Sequence, residues 1–309
     1  MRNLRIVFFG TPEFAVPSLE ILLENGFEVA GVVTATDKPG ARDKKTQQES
    51  PVKKCAREAG LTILQPQNLK SPDFLSSLKA LEANLQVVVA FRMLPEQVYA
   101  MPEFGTFNLH GSLLPRYRGA APINWAIIRG EKETGVTTFF INKQIDTGSI
   151  LFQESLPIGD NETAGELHDR MMVLGAQLVL KTTAAIAHGP VFAKTQDESL
   201  ATQAPKIFRE TCQIDFFQST TQVHNFIRGM SPSPGAWMVY RGQEIKLYRT
   251  EKREIPSPYP PGSVNTDRKN HLYISTLDGE IDVLELQLAG RRRMNIKEFL
   301  NGLGSVFEG

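Results

Sequence analysis

Asn108 and His110 stand two residues apart in FNLHG (107–111), a segment that otherwise reads as a buried β-strand. On a strand, side chains two apart share a face, so the carboxamide and the imidazole point the same way. A histidine so placed can take a proton from a nucleophile or pass one to a leaving group. An asparagine can donate a hydrogen bond to a developing oxyanion. A third group is wanted to orient the imidazole and favour its protonated form; Asp146, in NKQIDTGSI between two expected strands, is the candidate. With no serine or cysteine in this trio, the chemistry expected is direct transfer to a substrate nucleophile, without a covalent enzyme intermediate. Taken singly, a strand-end histidine is more often a satisfied polar residue, and Asp-Thr-Gly is a common turn. What distinguishes this stretch is the Gly-, Pro- and Arg-rich segment GSLLPRYRGAAP after the strand. It offers backbone donors at a helix start and room for a flat ligand.

The elements that must position these residues alternate between strand and helix. Strand-like runs (LRIVFFG and FEVAGVV, apolar on both faces, then LQVVVAF and GTFNLHG) are separated by segments of helical spacing such as PEFAVPSLEILLENG, which ends at Gly26. The pattern predicts an α/β, doubly wound, Rossmann-like and mostly parallel sheet, with Asn108 and His110 at the strand end where such sheets place their ligand crevice. FFGTPEFA has one glycine where a dinucleotide turn needs G-x-G-x-x-G, and Pro12 removes a backbone donor, so a dehydrogenase is rejected. A long amphipathic helix over 163–188 closes a first domain, 1–188. Residues 189–208 lose periodicity and read as a linker. Short alternating segments over 209–309 predict a small C-terminal β-barrel of the oligonucleotide-binding (OB-like) type.

Composition is consistent with this division. A chain of 309 residues exceeds the usual single-domain range, and 41% hydrophobic with 22% charged residues is ordinary for a globular protein. The 34 basic and 34 acidic residues cancel, so any nucleic-acid contact must come from local patches. One such patch is TDKPGARDKKTQQESPVKK (36–54), with Lys38, Arg42, Lys44, Lys45, Lys53 and Lys54; a second is Arg291, Arg292 and Arg293. Composition alone leaves a solvated surface loop equally open for the first. Cys55 and Cys212 form no CxxC pair and suit a reducing compartment; no metal site is expected. No targeting segment and no membrane-length apolar run is read, so a cytosolic, bacterial protein is expected.

NLHGSLLPRYRGAAPINWAI, followed by ETGVT and IDTGSI, resembles the signature of the formyltransferases that use 10-formyltetrahydrofolate as co-substrate. The resemblance implies that Asn108, His110 and Asp146 are the catalytic trio and that Ser112, Leu113, Leu114 and Pro115 line the folate site. It extends over the whole chain through FFGTPEFAVPSLEILL, VVTATDKPGARDKK, SPVK, APKI, SPSPGAW and LQLAGRRRM. These pieces are most similar to the branch whose acceptor is methionyl initiator tRNA. That implies an acceptor arm gripped by the 36–54 loop, with Arg42 as its key arginine beside Lys44 and Lys45; from their charge, Arg291 to Arg293 are expected as further phosphate contacts, and a monomer is expected. Gly111 stands where the branch usually has alanine, and AFRMLP (90–95) replaces a more common Tyr-Gly form. Gly111 and Trp125 also occur in sugar-nucleotide formyltransferases, which makes a UDP-amino sugar the alternative acceptor. A non-enzymatic RNA-binding protein on a decayed transferase is disfavoured by the intact trio.

Overall fold

The computed structural model describes residues 2–39 and 47–303. The chain divides into two compact units, one of Met1–Gly119, Gly135–Leu156 and His168–Gln203, the other of Ala120–Thr134, Pro157–Leu167 and Ala204–Gly309.

The first unit begins β1 (Arg5–Gly10), α1 (Val16–Glu24), β2 (Glu28–Val33), β3 (Lys38–Pro39), β4 (Gln47–Gln48), α2 (Pro51–Glu58) and β5 (Ile63–Leu64). It continues with α3 (Pro72–Ala80), β6 (Leu85–Val89), α4 (Glu96–Tyr99) and β7 (Thr106–His110). After α5 (Pro122–Ile128), which belongs to the second unit, come β8 (Glu133–Phe140), β9 (Ile150–Pro157) and α6 (Ala164–His188). Seven strands form one sheet in the order β5-β2-β1-β6-β7-β8-β9. The run from β5 to β7 is parallel, and β8 joins β7 antiparallel. Ile6 to Phe9 and Val87 to Val89 are buried without alternation, as helix cover on both faces requires. The mostly parallel, Rossmann-like sheet is as expected.

Local chemistry sets the helix ends. Ser50 and Ser71 cap α2 and α3 by accepting from Lys53 N (3.1 Å) and Phe74 N (3.4 Å), each with proline at the first helical position. The 36–54 stretch reads as one loop, but Ser50-Pro51 starts α2, whose Val52 and Ala56 are buried. Helix α6 crosses the sheet at β7 and β8. A Cβ on Gly175 would lie 2.7 Å from Leu109 Cδ2, and the Thr182 and Thr138 hydroxyls pair at 2.8 Å. By length and composition α6 is apolar enough to cross a membrane, which the sequence reading did not anticipate. Its apolar side chains Met171, Leu178, Val179 and Ile186 are buried, as in a core helix.

The second unit carries α7 (Thr220–Gly229), β10 (Ala236–Tyr240), β11 (Gln243–Arg253), β12 (Val264–Thr266), β13 (Leu272–Ser275), β14 (Glu280–Leu288), β15 (Met294–Asn295) and α8 (Ile296–Leu303). Its antiparallel sheet runs β10-β11-β14-β13-β12, with β15 on β14, and irregular register between Leu247 and Thr250 adds curl. This is the expected OB-like architecture. Val223 and Ile227 of α7 and Phe299 of α8 pack with Leu247, Ile281, Val283 and Leu286 in its core.

Candidate active site

His110 closes β7 at the carboxyl edge of the parallel strands and is only 6% exposed. Its Nε2 lies 2.9 Å from the Tyr117 carbonyl oxygen. A carbonyl only accepts, so Nε2 carries the hydrogen and donates. Nδ1 faces Asp146 Oδ2 at 3.7 Å, an ion-pair distance beyond hydrogen-bond reach. The structure thus brings together two residues that lie in separate motifs of the sequence.

Asp146 is held from three directions. It sits at φ +55°, a left-handed conformation that aspartate tolerates better than most residues. Oδ2 accepts the Gly119 N–H at 2.8 Å. Gln196 Nε2 donates to both Asp146 O and Gly148 O at 2.8 Å. Gln196 is itself fixed through Oε1 by Arg118 Nε and Nη2 (3.1 and 2.7 Å), and that guanidinium also forks onto Glu198 (2.8 Å to each oxygen). The arginine's hydrogen bonds hold the Glu198 carboxyl below its usual range. Gly148 is obligatory here because a Cβ would fall 1.6 Å from Phe140 O.

Arg118 and Gln196, 5% and 6% exposed, were not singled out from the sequence. Gln196 lies in the segment read as a linker, where only its polarity was visible. Much of that segment is bound to the first unit: Lys194 exchanges backbone bonds with Ile150, and Thr202 meets Tyr117 N (2.8 Å) and Arg118 N (2.9 Å).

Asn108, between Val88 of β6 and Phe139 of β8, is half-buried. Among the described residues its carboxamide has no hydrogen-bond partner, so its donors are free for a ligand. The following loop is tightly held. Ser112 Oγ donates to Arg116 O (2.6 Å), Thr137 Oγ1 donates to Ser112 O (2.6 Å), Leu114 N donates to Thr137 Oγ1 (3.1 Å), and Gln153 Nε2 donates to Leu114 O (2.9 Å). Ser112 and Leu114 are buried, Leu113 and Pro115 partly exposed, and the Leu114–Pro115 peptide is cis.

A cavity of about 670 Å³ opens in the same unit, lined by residues after β5 and β6 and by Lys143 of the Asp146 loop. Leu69, Met93, Leu94 and Tyr99 give it apolar walls, and Asn68, Lys70, Arg92 and Lys143 add polar groups. Arg92 is steadied by donating to the Gln67 carbonyl at 2.9 Å. The sequence signal was the variant turn AFRMLP, where Ala90 takes φ +47°.

Arg42, Lys44 and Lys45 lie outside the described residues. Lys53 is turned to structure, paired with Asp37 and Glu49. Arg291, Arg292 and Arg293 are exposed; Arg292 pairs with Glu298, and Arg293 with Glu285 while lying over the Tyr248 ring. Among the described residues no three His, Cys, Asp or Glu side chains gather as a metal site.

Two family models match the chain, Formyl transferase over residues 4–183 and Formyl transferase, C-terminal domain, over 206–304. It is 48% identical over 316 residues to the methionyl-tRNA formyltransferase of Parabacteroides distasonis, covering 99% of this chain and 98% of that one. It is 52% identical over 309 residues to the methionyl-tRNA formyltransferase of Azobacteroides pseudotrichonymphae, covering 96% and 95%. A solved sugar 3N-formyl transferase, in the presence of dTDP and 5-N-formyl-THF, superposes with TM-score 0.67 at 22% identity, covering 94% of this chain and 100% of that one.

Proposed function

The chain belongs to the formyl transferase family, and we propose that Asn108, His110 and Asp146 are the groups through which it works. It transfers the formyl group of 10-formyltetrahydrofolate to the α-amino group of methionyl initiator tRNA, giving N-formylmethionyl-tRNA for translation initiation. The observation that carries this acceptor is identity of about half over nearly the whole length of methionyl-tRNA formyltransferases. Likeness to the sugar enzyme, at 22% identity, extends to the fold alone. Trp125, a residue shared with the sugar branch, has a packing role here: its indole N–H donates to Pro205 O at 2.8 Å.

The residues make the chemistry intelligible. The methionyl amine attacks the formyl carbon, and the tetrahedral intermediate places negative charge on the former carbonyl oxygen. The unpartnered Asn108 carboxamide supplies a donor for that charge. The His110 Nε2 hydrogen is committed to Tyr117 O, which leaves Nδ1 as the nitrogen that takes the proton of the attacking amine and returns it to the departing folate nitrogen. Asp146, facing Nδ1, balances the positive charge on the ring while it holds that proton. No covalent enzyme intermediate is needed.

The 670 Å³ cavity fits the co-substrate in size and lining, since pockets of roughly 300–1,000 Å³ suit ligands of this class. Leu69, Met93, Leu94 and Tyr99 would cover its flat ring, and Lys70, Arg92 and Lys143 its carboxylates. Ser112 to Pro115 act by shape: the buried Ser112 and Leu114 brace a loop whose Leu113 and Pro115 border the folate. Residues 1–188 carry catalysis and 209–309 the tRNA, joined by 189–208, a division the two family models support. Arg42, Lys44, Lys45 and Arg291 to Arg293 contact the tRNA. The enzyme acts as a monomer in the bacterial cytosol, where charged tRNA and reduced folate occur.

The deciding experiment supplies 10-formyltetrahydrofolate with methionyl initiator tRNA and, in parallel, with a UDP-amino sugar. Formylation of the tRNA alone is the expected result. Transfer to the sugar alone would overturn the acceptor, and transfer to neither would overturn the enzyme.

A further inference from the structure

The second unit contains a cavity of about 520 Å³ that the formyl-transfer chemistry does not use. Arg129 and Lys132 after α5, Asp160, Asn225 and Arg228 of α7, and Lys252 of β11 line it. Four cations face one carboxylate. That carboxylate is engaged by Lys132, whose hydrogen bond holds the Asp160 carboxyl below its usual range.

Three donors, on Arg228, Asn225 and Lys252, meet few charged partners among the described residues. Arg228 is 4% exposed, and its recorded partners are neutral: Asn225 Oδ1 (2.8 Å), Gly159 O (3.1 Å) and Glu162 O (2.9 Å). Its hydrogen bonds go to neutral acceptors, and the Asp160 and Glu162 carboxylates answer its charge through space only; burial still pulls its pKa below the usual arginine value, so an anion hydrogen-bonded to it would offset a desolvation cost. The bond from Arg228 also settles the orientation of the Asn225 amide, because a guanidinium only donates. Asn225 Oδ1 is thereby occupied and Nδ2 is left. Asn225 is 8% exposed, and among the described residues Nδ2 has no acceptor. It lies beside cavity-lining Gly130, where a Cβ would come within 2.9 Å of it. Among the described residues Lys252 forms one ion pair, with the exposed Glu254 at 3.7 Å, and lies near enough to Asp160 to lower that carboxyl's pKa. A half-enclosed site of fixed amide donor, buried guanidinium and flexible lysine suits a tetrahedral oxyanion, whose several acceptor oxygens meet all of them at once.

We propose that this cavity is a binding site for a phosphate group, held by Asn225 Nδ2, Arg228 and Lys252, with Arg129 and Lys132 at its rim. Two sources share that chemistry, free phosphate or pyrophosphate and a backbone phosphate of the tRNA; the second rests on the acceptor reading above.

The full-length protein is titrated calorimetrically with inorganic phosphate and with pyrophosphate, at constant ionic strength. Saturable binding is expected, weakened at least roughly tenfold in Lys252→Met and in Asn225→Leu and largely kept in Lys252→Arg, since hydrogen bonds to charged groups contribute about 1.5–3 kcal/mol. Thermal melts confirm that each variant is folded, and Asn225→Asp, which places a carboxylate against the anion, serves as a near-isosteric second probe that should abolish binding. In the second arm, tRNA affinity is measured against salt. A backbone phosphate at the site predicts weaker tRNA binding and a shallower slope for Lys252→Met; unchanged tRNA binding beside lost phosphate binding assigns a free anion. If neither phosphate nor pyrophosphate saturates the folded wild type and Lys252→Met leaves the tRNA slope unchanged, the proposal is overturned. Formyl transfer by the wild type, assayed on the same preparation, keeps this result separate from failure of the acceptor reading.

Discussion

In the proposed mechanism Asn108 meets the developing charge through donors unpartnered among the described residues, so Asn108→Ala should lower kcat by about 100- to 1000-fold and leave the melting temperature unchanged. His110→Ala should lose as much activity and also some stability, about 1 kcal/mol, because the Tyr117 carbonyl loses its donor. Single-turnover formyl transfer and thermal melts on both variants check this; near-normal turnover in either removes the catalytic assignment. Asp146→Asn keeps an oxygen for Gly119 N–H but discards the charge opposite Nδ1, so turnover should fall and the pH–rate profile should change shape. Superimposable profiles at equal rate would reduce Asp146 to a turn residue. The neighbourhood of Asn108 and His110 was legible because the two share a strand face, a relation that period-two geometry makes visible. Arg118 and Gln196 were not, because their roles depend on hydrogen bonds closed over 78 residues of chain. Nothing in the residue types of TQDES marks a glutamine that will clamp a distant carbonyl.

At the level of elements, the loop between β8 and β9 is braced where Gly148 passes against Phe140 O and Gln196 ties the Asp146 and Gly148 carbonyls. Gly148→Ala must push that backbone apart, and Gln196→Leu must leave both carbonyls and Arg118 Nε without their partner, while the Arg118–Glu198 fork remains. Both variants should lose turnover through Asp146 while folate affinity changes little, which equilibrium folate titration beside kcat can separate. If Gly148→Ala retains full turnover, the loop is not what sets the carboxylate. Helix α7 gives a second element-scale test. His224 is buried, accepting from Thr250 Oγ1 at Nδ1 (2.9 Å) and facing Asp160 O through Nε2 (3.3 Å). Burial first, then the Arg228 and Lys252 charges, hold its pKa at about 4, against 6.5 ordinarily. The unfolded chain therefore binds the proton first. Stability from this group is full above pH 6.5 and is lost as pH falls to about 4, by roughly 3 kcal/mol. His224→Gln should flatten that part of the stability curve; an unchanged slope in urea titrations at stepped pH would contradict it. Strands were read well because unbroken β-branched runs announce burial on both faces. Helix α7 escaped the reading, although Ser219 and Gln222 form a capping box and Val223, Phe226 and Ile227 hold helical spacing, because so short a helix repeats its period only once.

For the whole molecule, 34 basic and 34 acidic residues leave no global field to draw in a polyanion, so tRNA affinity must be the sum of local contacts. The contacts proposed for Arg291 to Arg293 would differ in what they release. Arg292 and Arg293 already hold Glu298 and Glu285, and a phosphate must displace a carboxylate before it gains either. Arg291 has no side-chain partner among the described residues, so a phosphate there displaces only solution counterions. Arg291→Ala should therefore reduce the log–log salt slope of tRNA binding by about 0.7 to 0.9, the amount expected for one phosphate contact. Arg293→Ala should change the slope less and lower stability instead, because its guanidinium packs on the Tyr248 ring at 4.4 Å. Arg42→Ala tests the other end of the acceptor. If Arg42 aligns the methionyl terminus, kcat/KM for tRNA should drop well beyond the change in binding, and KM for 10-formyltetrahydrofolate should hold. Filter-binding titrations across a salt series, run beside initial rates, separate anchoring from alignment for each arginine. Equal slopes in wild type and all three variants, with kcat/KM untouched, would remove these arginines from the proposed tRNA surface and leave the contact to be found elsewhere.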